Sequence, residues 1–170
     1  GATLFLMIFE KRLIYYPAAD LDVTPRALGL PFDDVLLDVE PGVRVHGWFI
    51  KAATEPSAAT VLFSHGNAGN IADRLDRVLR LRGLGADFLL YDYRGYGRSE
   101  GEPSEEGILL DARAARRWLA DRTGVPESEI ILMGQSLGGA VAVDLASRDG
   151  ARGLILASTF TSLPDVGADH

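Results

Sequence analysis

The sequence predicts an α/β fold, and three observations carry the prediction. Thr60-Val61-Leu62-Phe63, Phe88-Leu89-Leu90-Tyr91, Ile130-Ile131-Leu132-Met133 and Leu154-Ile155-Leu156 are short apolar runs, the pattern of strands buried within a sheet. Segments of helical character separate them. Ahead of them, Val35-Leu36-Leu37-Asp38-Val39 and residues 43–50 flank Glu40-Pro41-Gly42, as the arms of a hairpin do.

Taken in order, the chain begins with an apolar stretch, residues 2–9, followed by Glu10-Lys11-Arg12. Eight residues fall short of the roughly 20 that span a bilayer. The stretch is either the remnant of a membrane anchor or a short packing segment. In the hairpin, Val43, Val45 and Gly47 alternate with Arg44 and His46, so one face is expected to be half wet. A helix is expected over 70–82, with Ile71, Leu75, Val78, Leu79 and Leu81 inward. Asp73 with Arg77, and Asp76 with Arg80, have the spacing of i,i+4 ion pairs on its outside. Ser104 opens the next helix, with Glu105 and Glu106 in the first turn, where the helix dipole favours anions. Residues 137–148 form a third helix. Residues 159–170 show no period, and neither an internal repeat nor a linker divides the chain.

Composition narrows the chemistry. The 170 residues are 47% hydrophobic and 24% charged, with a net charge of −7 and a pI near 4.9. That balance, with basic residues interleaved among acids, argues against a nucleic-acid partner. The absence of Cys removes disulfides, zinc–thiolate sites and thiol catalysis together.

Three motifs bear on function. In Gly134-Gln135-Ser136-Leu137-Gly138, a Ser stands between an expected strand and a helix rich in small residues. Such a turn strains the Ser backbone and lifts its hydroxyl above the sheet edge, while the helix N-terminus presents free N–H groups. The N–H of Leu137 is one candidate donor for an oxyanion, and acyl transfer needs a second. Ser64-His65-Gly66-Asn67-Ala68-Gly69 follows a neighbouring strand, and Asn67 stands where the second donor is needed. His65, which precedes Ser136 and sits at a strand end, is read as a structural residue holding that loop. In Tyr91-Asp92-Tyr93-Arg94-Gly95-Tyr96-Gly97-Arg98-Ser99, a dinucleotide-binding loop fails, because Glu100 occupies the third glycine position and Pro103 interrupts.

These motifs, in this order, resemble the α/β-hydrolase superfamily, and more narrowly its serine-aminopeptidase-type branch, which includes the bud-emergence-type hydrolases. The resemblance runs from Leu13 to Asp169 through RLIYYP, HGNAGN, LLYDYRGYGRSEGEPSEEG, GQSLGGAVA and STFTSLPDV. It implies a mostly parallel sheet with helices on both faces, an N-terminal antiparallel hairpin, and truncation after about the sixth strand. It implies Ser136 as catalytic nucleophile and the amides of Asn67 and Leu137 as oxyanion hole, with Asp92, Arg94 and Gly95 shaping a turn. It favours an anchor remnant at 1–16, leaving 17–170 as a partial hydrolase domain and suggesting membrane association.

The fold's chain order is Ser, acid, His. After Ser136 come Asp144, Asp149, Asp165 and Asp169, and the last residue, His170, is the only His. Asp144 and Asp149 fall on or beyond the helix behind the nucleophile and should point away. The expected function is a serine hydrolase acting on an ester, thioester or amide carbonyl of a small-molecule, lipid or peptide substrate. It is incomplete in this chain because the acid and His are expected downstream. No cofactor or metal is implied. The alternative is a non-catalytic binding or interaction module of the same fold. The strand at 154–156 is expected to be an unprotected edge, prone to self-association.

Overall fold

In the computed structural model, which describes residues 15–157, the apolar runs become strands of one six-stranded sheet. Eight strands form among the described residues. They are β1 (Tyr16–Pro17), β2 (Asp33–Glu40), β3 (Val43–Ile50), β4 (Ala59–Ser64), β5 (Ala68–Gly69), β6 (Ala86–Tyr91), β7 (Ile131–Gln135) and β8 (Gly153–Ala157). The helices are α1 (Leu75–Arg82), α2 (Glu105–Thr123) and α3 (Leu137–Asp149). The main sheet has the order β2-β3-β6-β4-β7-β8, while β1 and β5 form a separate parallel pair. The hairpin β2–β3 is antiparallel, β3 meets β6 antiparallel, and the remaining neighbours are parallel. The expected architecture is thus present.

Alternation along the strands sorts the core into two layers. Val61, Phe63, Phe88 and Leu90 point to the face covered by Ile71, Leu75 and Val78 of the α1 region. Leu62, Leu89 and Leu132 point to the other face, under Ile108, Ala112 and Leu119 of α2 and Val141 and Leu145 of α3. Helix α2 starts at Ser104, whose hydroxyl accepts from the Gly107 amide at 3.0 Å, and ends at Gly124 in the left-handed region. Strands β4 and β7 are neighbours, yet the chain leaves β4 for one face and β7 for the other. Divergent exits at the carboxyl ends of two strands are where an open α/β sheet places its ligand crevice.

Two local expectations are corrected. His46 is not on a wet face: it is 2% exposed, its Nε2 lies 2.5 Å from Asp34 Oδ1, and its ring meets Trp48 edge-on. The reason is position, since β3 lies inside the sheet and Phe32 and Trp48 stack over that side. Nor do Asp73 and Arg77 pair. Asp73 accepts from the Asn70 amide at 3.1 Å, closing a capping box, and Arg77 turns to Gln135. Asp76 and Arg80 make no ion pair either. Capping an N-terminal amide outcompetes a solvent-exposed pair worth a few tenths of a kcal/mol.

Beneath β2, Asp111 of α2 is fully buried and accepts from Arg94 at its amide (2.8 Å), Nε (3.0 Å) and Nη2 (2.8 Å). Arg94 Nη1 reaches Glu40 at 2.6 Å. Burial raises the Asp111 carboxyl above its ordinary range, and the Arg94 hydrogen bonds oppose that. The variant Asp111→Ala strands the Arg94 guanidinium and is expected to cost about 3–5 kcal/mol in chemical denaturation. A loss below about 1 kcal/mol would show that Glu40 alone neutralises Arg94.

The sheet's two rims differ. β2 carries Asp33, Asp34, Asp38 and Glu40 and an irregular register between Asp38 and Glu40. β8 carries no charge, and Leu154, Ile155 and Leu156 are 43%, 44% and 44% exposed. Size-exclusion chromatography of the 170-residue chain is expected to show concentration-dependent self-association, with amides of 154–156 exchanging faster than those of 131–135. A monomer with equal protection would show that the edge is covered.

The apolar segment considered as an anchor remnant and the last thirteen residues, with Asp165, Asp169 and His170, lie outside the described residues. Among the described residues no helix is long and apolar enough to cross a membrane.

Candidate active site

Ser136 follows β7 and precedes α3 with φ 52° and ψ −118°. Among the described residues it is the only non-glycine residue at positive φ. Such a conformation costs on the order of 1–3 kcal/mol and persists only where neighbours enforce it. The neighbours are on the page. The Ser136 amide donates to Ala157 O at 2.9 Å, and its carbonyl accepts from Gly139 at 2.9 Å. A Cβ on Gly134 would overlap the Gly138 carbonyl, and one on Gly138 would overlap the Ser64 carbonyl. Both glycines are therefore required by close backbone approach, as the motif implies. Ser136 itself is partly exposed.

The loop after β4 passes directly beside this turn. A Cβ placed on Gly66 would stand 3.6 Å from Ser136 Cβ. The next residue, Asn67, is clamped by its oxygen atoms. Tyr96 Oη donates to Asn67 O at 2.8 Å and lies 3.1 Å from Oδ1, and the Tyr16 amide donates to the same carbonyl at 3.4 Å. Farther along, Asn70 Nδ2 donates to Ala18 O (3.2 Å) and Asp20 O (2.6 Å), tying the N-terminal segment to the loop. The amides of Asn67 and Leu137 donate to no protein acceptor among the described residues. For Leu137 this is the ordinary state of a first helical residue. For Asn67 it leaves a free donor, on the peptide whose carbonyl, Gly66 O, lies 2.7 Å from His65 Nδ1.

His65 is 1% exposed, with Nδ1 2.7 Å from Gly66 O and Nε2 3.2 Å from Asp92 Oδ1. Its ring lies against Tyr93 and Tyr96, and its carbonyl accepts from Tyr93 Oη at 2.8 Å. Both nitrogens face inward, which fits the structural role read from its position. His46 is three strands from β7, roughly 14 Å along the sheet at ordinary spacing. Asp144 is held by Arg113 (3.5 Å) and Arg148 (3.1 Å), away from the crevice as expected.

The segment after β6 is a turn and not a phosphate cradle. The Gly95 amide donates to Glu100 O and the Gly97 amide to Ala18 O, so neither is available to a ligand. A Cβ on Gly97 would overlap the Asp92 carboxylate, a group that repels phosphate. Asp92 is fully buried, and its Oδ1 accepts from the Ile71 amide at 2.9 Å.

Sequence reasoning missed the tyrosines. Tyr91, Tyr93 and Tyr96 are fully buried and reach the Ser64 hydroxyl, the His65 carbonyl and Asn67 respectively. Their repetition along one segment is the available signal, although the glycine spacing of that segment points only to a turn. Burial, first of all, holds these phenols above the ordinary 10.0. Unfolded phenols ionise near 10 while the folded ones keep their protons, so stability present below pH 10 is expected to fall as pH rises further. Denaturation at stepped pH checks this. Tyrosinate absorbance of the folded protein rising for all five tyrosines near pH 10 would contradict it.

Comparison with known proteins places this arrangement. A family model described as serine aminopeptidase, S33 matches residues 55–167. The uncharacterized protein Rv2307c of Mycobacterium tuberculosis is 42% identical over 171 residues, covering 100% of this chain and 60% of that protein. The alpha/beta hydrolase domain-containing protein WAV2 of Arabidopsis thaliana is 42% identical over 169 residues, covering 95% and 55%. The protein bem46 of Schizosaccharomyces pombe is 33% identical, covering 95% and 57%. The chain thus spans a little over half the length of these relatives. Among solved structures, the Pyrococcus furiosus esterase Pf2001 superposes with a TM-score of 0.71 at 27% identity, covering 86% of this chain and 56% of that one. An alpha-beta hydrolase from Vibrio vulnificus superposes with a TM-score of 0.70 at 30% identity, covering 82% and 49%. The motifs, the sheet order and the matched family model agree: the chain belongs to the α/β-hydrolase superfamily, within its serine aminopeptidase S33 family.

Proposed function

We propose that the protein is a serine hydrolase in which Ser136 attacks an ester, thioester or amide carbonyl. The observation that carries this reading is the strained Ser136 backbone beside two uncommitted amides, Asn67 and Leu137. Attack turns the carbonyl oxygen into an oxyanion, and these two N–H groups supply the pair of donors it requires. Tyr96 on the Asn67 carbonyl and His65 on the Gly66 carbonyl hold the chain on both sides of the Asn67 N–H before substrate arrives, so little reorganisation accompanies reaction.

Loss of the Ser136 proton needs a base. The chain has three histidines. His46 is too distant and His65 is enclosed, so the base is either His170 or a residue outside these 170. The group that orients it is assigned likewise. A likeness to an esterase supports carbonyl chemistry without selecting a substrate.

The test is covalent capture. The natural full-length protein, treated with a fluorophosphonate and digested, should carry one adduct, on the peptide containing Ser136. The Ser136→Ala variant should carry none. A stable adduct on another serine would overturn the assignment, and a folded protein that takes no adduct would favour a non-catalytic module.

A further inference from the structure

Arginines recur at 74, 77, 80 and 82, and the structure sorts them. Arg80 is exposed, and Arg82 Nε donates to Lys51 O at 2.7 Å, away from the crevice. Arg77 Nη1 reaches Gln135 Oε1 at 3.3 Å, on the residue immediately before Ser136. Arg74 Nη2 donates to Ala68 O at 2.7 Å and stands 4.0 Å from the Cβ position of Gly66. Ser136 Cβ is 3.6 Å from that same position, so Arg74 and the nucleophile flank one point of the loop.

Half of the fourteen described arginines lack a carboxylate partner, and of those seven Arg74 and Arg77 are the two whose guanidinium reaches the loop beside Ser136 or the residue before it. Seven other arginines hold a carboxylate within 4.0 Å. Among the described residues neither Arg74 nor Arg77 has one, although the chain has 24 acidic residues against 17 basic. Their neighbour Asp73 is committed to the Asn70 amide. Arg74 Nε is buried without any hydrogen-bond partner. These contacts use one of the five N–H groups of each guanidinium. Two such groups, one bonded to the residue before Ser136 and one to the loop beside it, match a planar carboxylate in charge and in hydrogen-bond geometry.

We propose that Arg77 and Arg74 form an anion subsite, so that this hydrolase prefers esters bearing a carboxylate a few bonds from the carbonyl that Ser136 attacks. The proposal rests on Ser136 being the nucleophile, and its test separates the two ideas. With the natural full-length protein, kcat/KM is measured for mono-p-nitrophenyl adipate against p-nitrophenyl hexanoate, which places the charge on the acyl side. It is also measured for 4-acetoxybenzoate against its methyl ester, which places the charge on the leaving group.

One of the two pairs should favour the anion about tenfold or more. That ratio should fall about tenfold in Arg77→Gln, fall also in Arg74→Gln, and hold in Arg80→Gln. Using the ratio cancels general effects of each substitution on the nucleophile. Sodium chloride at about 0.5 M should shrink it. A ratio near one in both pairs, or one that survives Arg77→Gln, would overturn the proposal. If neither ester is turned over by Ser136, the nucleophile assignment fails first, and calorimetric titration with adipate still decides the subsite. Saturable binding to the Ser136→Ala protein that disappears in Ser136→Ala/Arg77→Gln supports it, and absence of binding refutes it.

Discussion

Ester hydrolysis by the natural full-length protein is expected to drop by about 10⁴–10⁶-fold in the Ser136→Ala variant, the range seen when a nucleophile acting as part of a unit is removed. The stability of the variants adds a second readout. Ala keeps a Cβ at φ 52°, so the strain stays, and unfolding free energy should change little. Ser136→Gly is equally inactive but releases a conformational cost of about 1–3 kcal/mol against a glycine entropy cost of about 0.5–1 kcal/mol. The Gly variant should therefore be more stable than the Ala variant by about 1 kcal/mol in urea denaturation. Equal stability would mean that the turn is not strained. Residual Ser136→Ala turnover near the parent rate would move the nucleophile elsewhere.

The second large effect is on folding. Gly138 is the second residue of α3, where a Cβ would run into the Ser64 carbonyl and stand 2.6 Å from His65 O. These are backbone atoms of the loop that carries Asn67, and they have no rotamer to retreat to. Gly138→Ala should destabilise the protein by about 3 kcal/mol, the upper part of the overpacking range. It should also reduce activity by more than the loss of folded protein explains, because α3 can accommodate the methyl group only by pushing the Asn67 peptide aside. Gly124→Ala is the control. That glycine ends α2 in the left-handed region with nothing within 4 Å of a Cβ, so its cost is conformational alone, about 1–2 kcal/mol. Similar losses for the two variants would show that α3 and β4 are not in rigid contact.

The order of strands and helices was legible because buried parallel strands leave an unmistakable trace. Val61 and Phe63 face one layer while Leu62 faces the other, so all three must be apolar. The Ser136 turn was legible for a similar reason, since two backbones meet too closely for any side chain at 134 and 138. Partnership was harder to read. Asp73 had two acceptable donors, Arg77 and the Asn70 amide, and spacing alone favoured the wrong one. His46 looked exposed because alternation marks a side of the strand without telling whether Phe32 and Trp48 stack over it. The tyrosine clamp on Asn67 joins residues 29 positions apart, a contact that only the sheet order creates.

For the 170-residue chain the contrast between the two rims of the sheet predicts a stoichiometry. Pairing β8 with its own mate about a two-fold axis would leave two outer rims, each a β2 strand with four carboxylates and a kinked register. Such a pair is closed, because both copies have used the same surface. Stacking β8 of one copy on β2 of the next would instead repeat without end, the geometry of a fibre. Carboxylates and a bulge are what blunt a rim against that kind of addition. Any association of the 170-residue chain through β8 is therefore expected to stop at two copies.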